Sequence, residues 1–148
     1  MAGEILVATN VLEYPYTRTV GPVLGAFFTG LREGRIQGVR AADGRVLVPP
    51  TEYDPLTSEE LTEMVDVGQA GVVTTWAWVY APRPLHPLDR PFAWVLVRLD
   101  GADTSMLHAL DAGEPERMST GMRVRVRWRE GRVGEIQDIA CFEPETPS

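Results

Sequence analysis

The 148-residue sequence predicts a mainly β protein, a five-stranded Greek-key barrel preceded by a helix and a short hairpin. Three observations carry that expectation. Apolar residues recur at helical spacing early in the chain, at Val20, Val23, Leu24, Phe27 and Leu31. From Gly71 onward the chain turns to runs of β-branched and aromatic residues punctuated by turn residues. Between the two, residues 35–57 read as a strand, a tight Asp43-Gly44 turn, a second strand, a Pro-Pro stop and a Tyr-Asp-Pro-Leu-Thr knuckle.

Residues 1–18 read as an arm, extended around Tyr14-Pro15-Tyr16 because a residue before proline avoids the helical region. A helix follows over 21–32: Pro22 suits its first turn, where a missing N–H costs nothing, and Gly34 suits its stop. Phe28 widens the apolar stripe, and so broad a stripe lies either on the barrel or against another subunit. Thr57-Ser58-Glu59-Glu60 gives a brief helix-start signal. Barrel strands are expected over 72–80, 92–99, 106–110, 122–128 and 133–142. The second is apolar on both faces, as a strand covered on both sides would be. The fourth alternates Met122, Val124, Val126 and Trp128 with Arg123, Arg125, Arg127 and Arg129. Pro82, Pro84, Pro87 and Pro91 stiffen the loop over 81–91. The chain is expected to divide into an arm and helix (1–34), a hairpin-and-knuckle segment (35–67), a barrel (68–143) and a tail (144–148).

Composition narrows the function classes. A net charge of −7 argues against nucleic acid, because phosphate binding needs an excess of positive charge. No apolar run approaches the ~20 residues of a membrane-spanning helix. The first residues lack a basic segment followed by an apolar core, so no secretory signal is expected, and the single cysteine, Cys141, fits a reducing cytoplasm. All 14 basic residues are arginine. Without a lysine amine the chain cannot form a Schiff base, which excludes class I aldolase chemistry for it alone.

Segments V-G-P-V-L-G-A-F-F-T-G-L-R-E-G-R-I (20–36), D-G-R-V-L-V-P-P (43–50), G-V-V-T-T-W-A-W-V (71–79), P-F-A-W-V-L-V-R-L-D-G (91–101) and T-G-M-R-V-R-V-R-W (120–128) resemble, in that order, the acyl-CoA-associated OB-fold family, formerly domain-of-unknown-function family thirty-five. The resemblance spans residues 20 to 142. It implies an OB barrel behind a helix and a rubredoxin-like zinc ribbon. The ribbon knuckles of a metal-binding version would be C-x-x-C-G and C-P-x-C; here those positions hold Arg40, Asp43, Asp54 and Thr57, so zinc is not expected. An Arg40–carboxylate pair is expected to hold the turn instead. The cysteine-poor members it most resembles are accessory subunits of actinobacterial steroid side-chain aldolases. That implies a hetero-oligomer with a thiolase-fold lipid-transfer-type protein, with an acyl-CoA thioester as substrate of the complex and lipid catabolism as the setting. The alternative is a stand-alone acyl-CoA-binding OB module, or a companion of an ordinary acyl-CoA thiolase.

Candidate site residues follow from both readings. No catalytic residue and no metal ligand is assigned. Arg123, Arg125 and Arg127 share one strand face and could meet the phosphates of coenzyme A, since guanidinium forks match phosphate geometry. The competing readings are a solvated face neutralised by Glu114, Glu116 or Glu135, and a contact with a partner. Val23, Phe27, Phe28 and Leu31 are the expected partner interface. His86, His108 and Cys141 read as structural: two isolated histidines and one cysteine do not make a metal cage. Trp76 and Trp78 share a strand face, so both belong to the core or both to an interface.

Overall fold

A computed structural model describes residues 21–145. The expected arm over 1–18 lies outside the described residues, as do Val20 and the last three residues of the tail.

Helix α1 spans Pro22–Arg32. Its N-cap, Gly21, has no side chain to satisfy the first-turn N–H groups, and Glu52 supplies the missing carboxylate: its Oε2 accepts the Leu24 N–H at 2.9 Å. Negative charge also suits the positive end of a helix. A Cβ on residue 21 would lie 2.4 Å from that carboxyl group, so a larger residue there would push the Glu52 side chain aside.

Three short strands follow: β1 Gln37–Arg40, β2 Val46–Leu47 and β3 Glu63–Asp66. They form an antiparallel sheet in the order β2-β1-β3. Instead of a helical start at 57–60, the chain makes a loop closed by a bridge between Tyr53 and Glu60. The barrel strands are β4 Ala70–Val79, β5 Phe92–Leu99, β6 Met106–Leu110, β7 Arg123–Trp128 and β8 Ile139–Pro144. They close in the order β4-β5-β6-β8-β7, antiparallel except where β6 meets β8. Closure removes the free strand edges that an open sheet would expose. At Gly71 the chain leaves no room for a side chain beside β5, since a Cβ there would sit 2.3 Å from the Arg98 carbonyl oxygen.

The last strand begins later than expected, at Ile139 rather than residue 133. Asp138 explains the delay. Its buried carboxylate accepts the backbone N–H groups of Val133, Gly134 and Glu135 at 3.0, 2.7 and 3.2 Å, so the chain coils into a 3₁₀ turn over Ile136–Asp138. Those donors are then unavailable to a ladder.

One hydrophobic core runs through helix, small sheet and barrel. Phe27 and Leu31 of α1, Ile36, and Val46 and Val48 pack with Val73, Val95, Val97, Leu99, Val124 and Phe142. Val23 packs on the small sheet with Val39, Ala41, Leu47 and Leu61. Trp76 and Trp78 oppose Val95 and Ala93, whose side chains line the barrel interior, so both tryptophans belong with the core. Polar ties reinforce the join between sheet and barrel: Asp103 accepts the Val46 N–H and Thr104 exchanges hydrogen bonds with Val48.

The helix therefore lies on its own barrel. Val23, Phe27 and Leu31 are 3%, 2% and 0% exposed. Three of the four residues expected at a partner interface are thus buried within this chain, and only Phe28 is half-exposed. The correction has a simple cause. A broad apolar stripe signals burial, and periodicity does not say against what.

Candidate functional site

Three features of the described residues could carry function: the former knuckle, the arginine face and an apolar groove.

At the knuckle, Asp54 is buried at 2% exposure. Its carboxylate accepts the Leu56 N–H at 2.8 Å and the Arg45 guanidinium at 3.0 and 3.1 Å, while Arg45 Nε donates to Asp43 at 2.6 Å. The Leu56 hydrogen bond first, then Arg45, hold the Asp54 carboxyl below the usual range against the effect of burial. Arg40, expected to make this pair, instead reaches across to Glu63 on β3 at 3.0 Å. In the β1–β2 hairpin Arg40 and Arg45 lie on either side of the turn, and only the tertiary fold says which one meets Asp54. The arrangement does not fit zinc. Two of the four family ligand positions are carboxylates already neutralised by a guanidinium, and a third is an arginine engaged elsewhere. Among the described residues, no group of three or more His, Cys, Asp or Glu side chains is placed to hold a metal ion.

The arginine face is built from β7 and its neighbours. Alternation turns Val124 into the core and Arg123, Arg125 and Arg127 outward. Each finds carboxylates at once. Arg123 forks onto Asp100 at 2.9 and 2.7 Å and reaches Glu145 at 2.9 Å. Arg125 and Arg127 share Glu143 at 2.7 and 2.9 Å, and Arg127 also meets Asp111, which Arg90 pairs as well. Burial works against the charge on Glu143, yet hydrogen bonds from Arg125 and Arg127 keep its carboxyl below the usual range. Hydrogen bonding from Arg90 and then Arg127 does the same for Asp111. Arg129 stands apart, held by Asp138 at 2.8 Å and Glu135 at 3.4 Å. Glu135 is thus the one expected acidic partner that pairs with the ladder. Asp100, Asp111, Asp138, Glu143 and Glu145 do the rest, because folding brings them alongside the strand. A coenzyme A phosphate at this face would have to displace carboxylates already in place.

The groove, about 520 Å³, lies outside the barrel between the proline-rich loop, β6 and the turn before β8. Leu85, Leu88, Trp94, Leu107, Ile136 and Ile139 line it, and His108 and Arg129 also border it. The loop is a fixed wall. The His86 N–H donates to the Arg83 carbonyl and His86 Nδ1 accepts the Arg83 N–H, while its ring stands edge-on to Phe92 and Trp94 at 5.4 and 5.9 Å. His108 is 7% exposed and its Nδ1 accepts the Ala109 N–H, so the neutral ring carries its hydrogen on Nε2. Burial pushes its pKa down, which keeps the ring uncharged. Cys141 is buried beside Phe92 and Ala109, and burial raises its thiol pKa, the state of an inert cysteine. Leu85 and Leu107 were not singled out from sequence. The available signal was the two-sided apolar pattern of residues 92–99, which demanded cover outside the barrel.

A closed five-stranded barrel carrying a helix and a small sheet defines an OB-fold protein. Residues 64–129 match the model of the family described as ChsH2, C-terminal OB-fold domain. The structure is similar to a solved structure of an Ltp2-ChsH2(DUF35) aldolase, at 22% identity and TM-score 0.60, covering 85% of this chain and 97% of that one. It is also similar to a DUF35-family protein of unknown function from Sulfolobus solfataricus, at 23% identity and TM-score 0.59, covering 84% of this chain and 90% of the other. At these identities the two structures speak to the fold alone. A search of curated proteins found no match.

Proposed function

We propose that this chain is the accessory subunit of a thiolase-fold steroid side-chain aldolase. It supports retro-aldol cleavage of a steroid β-hydroxyacyl-CoA to propionyl-CoA and a ring ketone, in the cytoplasm. The observation that carries this reading is the match of residues 64–129 to the ChsH2 OB-fold model, together with likeness to a structure described as an Ltp2-ChsH2 aldolase.

The chemistry distributes the roles. A base removes the β-hydroxyl proton, the Cα–Cβ bond breaks to leave the ketone, and the electron pair passes into the thioester enolate, which is then protonated. The reaction needs a positioned base and a group that stabilises the enolate. In this chain His108 is buried and neutral, His86 is held by its own loop, and the arginines of β7 are matched by carboxylates. Both catalytic roles therefore go to the thiolase-fold partner, and this chain shapes or steadies that partner. No zinc is assigned to it, and the coenzyme A thioester enters as the substrate of the complex.

Reconstitution tests the reading. The thiolase-fold subunit is assayed for propionyl-CoA release with and without this chain. Cleavage that depends on the chain is expected; full-rate cleavage by a well-folded partner alone sinks it.

A further inference from the structure

On the outer face of the barrel, the rows of β4, β5 and β6 between Phe92 and Arg98 carry no charged side chain, in a chain with net charge −7 and 24% charged residues. Strand register places the residues. Ala77, Trp94 and Ala109 lie side by side in one row, and Thr75, Leu96 and Leu107 in the next. Opposed residues in a ladder point to the same face, and Ala93, Val95 and Val97 on the alternate positions of β5 line the interior. Strand β5 therefore has two apolar faces. The inner one is filled by the barrel core. On the outer one, the end at Phe92 and Trp94 is covered, by Leu88 and His86 of the proline-rich loop. Past Trp94 the cover by described residues gives out: Leu107 is 60% exposed, and Thr75 and Ala77 are exposed. The patch runs into the groove at Trp94 and Leu107, and Leu85 stands 97% exposed at the far wall.

We propose that this uncharged face, continued by the groove beneath Leu85, seats an apolar segment of the thiolase-fold subunit; the inference rests on the accessory-subunit reading above. A contiguous exposed apolar surface on a rigid scaffold marks a protein contact. The barrel is closed, so the contact forms through side chains and not by adding a strand. A second copy is the less suitable occupant, because it brings another net −7 against the first. A different chain need not repel in this way. The helix stripe at Val23, Phe27 and Leu31 is no competitor, being spent inside the chain.

The test uses the purified full chain and the purified thiolase-fold subunit, with association measured by calorimetry. Leu107→Arg and Ala77→Arg change exposed positions, and an unchanged thermal melt verifies that both still fold. Each is expected to weaken association about 30-fold or more, the effect of charging the centre of an interface. Glu63→Gln, on the small sheet, is expected to bind like the unaltered chain. If the unaltered chain associates and both arginine variants do so equally well, the partner sits elsewhere and this surface is refuted while the accessory role stands. If the unaltered chain does not associate, that role fails and the surface falls with it. Self-association of the chain alone that Leu107→Arg abolishes would give the face to a second copy and overturn the proposed occupant.

Discussion

Leu31→Ala tests whether the helix stripe is core or interface. Leu31 is fully buried in a cluster that joins α1 to Ile36, Val46, Val48 and the barrel valines. Truncating a buried leucine removes its transfer free energy and leaves a cavity, together about 3 kcal/mol. For a chain of this length each kcal/mol lowers Tm by roughly 2–4 °C, so a fall of about 6–12 °C is expected. Phe28→Ala, at a half-exposed site, is expected to cost about half as much. The assay is thermal and urea unfolding of the isolated chain followed by circular dichroism. The two methods should rank the variants alike. A fall in Tm under about 2 °C for Leu31→Ala would show that the stripe does not hold this chain together, and the helix would return to being a partner surface.

Asp138→Ala removes the acceptor of three backbone N–H groups and of Arg129, and is expected to destabilise by at least about 2 kcal/mol in urea unfolding. His108 has its pKa lowered by burial, so the unfolded chain binds its proton more readily than the folded one. Its effect on stability is therefore absent above the ordinary histidine pKa of 6.5 and grows as pH falls below it; the urea midpoint should drop in that direction, and less so in His108→Gln. Because the β7 arginines are already paired, calorimetry of the isolated chain with coenzyme A is expected to show no micromolar binding. Tight binding lost in Arg123→Ala/Arg125→Ala would restore the phosphate reading of that face.

Local pattern alone determined much of this protein. The bounds of β5 and β6, the helix and the alternation of β7 are all visible in the chain, because side-chain period and turn residues are properties of consecutive positions. The resemblance to the OB-fold family was legible for the same reason, in ordered motifs along the chain. What lay across the fold was not. Arg45, not Arg40, closes the knuckle on Asp54, since the guanidinium that reaches the buried carboxylate depends on how the loop over β2 folds back. The carboxylates that neutralise the arginine face come from strand ends and turns 16 to 23 residues away in sequence. Asp138 delayed the last strand by capturing N–H groups locally, a competition that strand propensity does not register. Burial of the helix stripe and exposure of the face at Leu107 were likewise settled only by packing. Hydrophobic pattern specifies that a face must be covered, and three-dimensional contact decides which neighbour covers it.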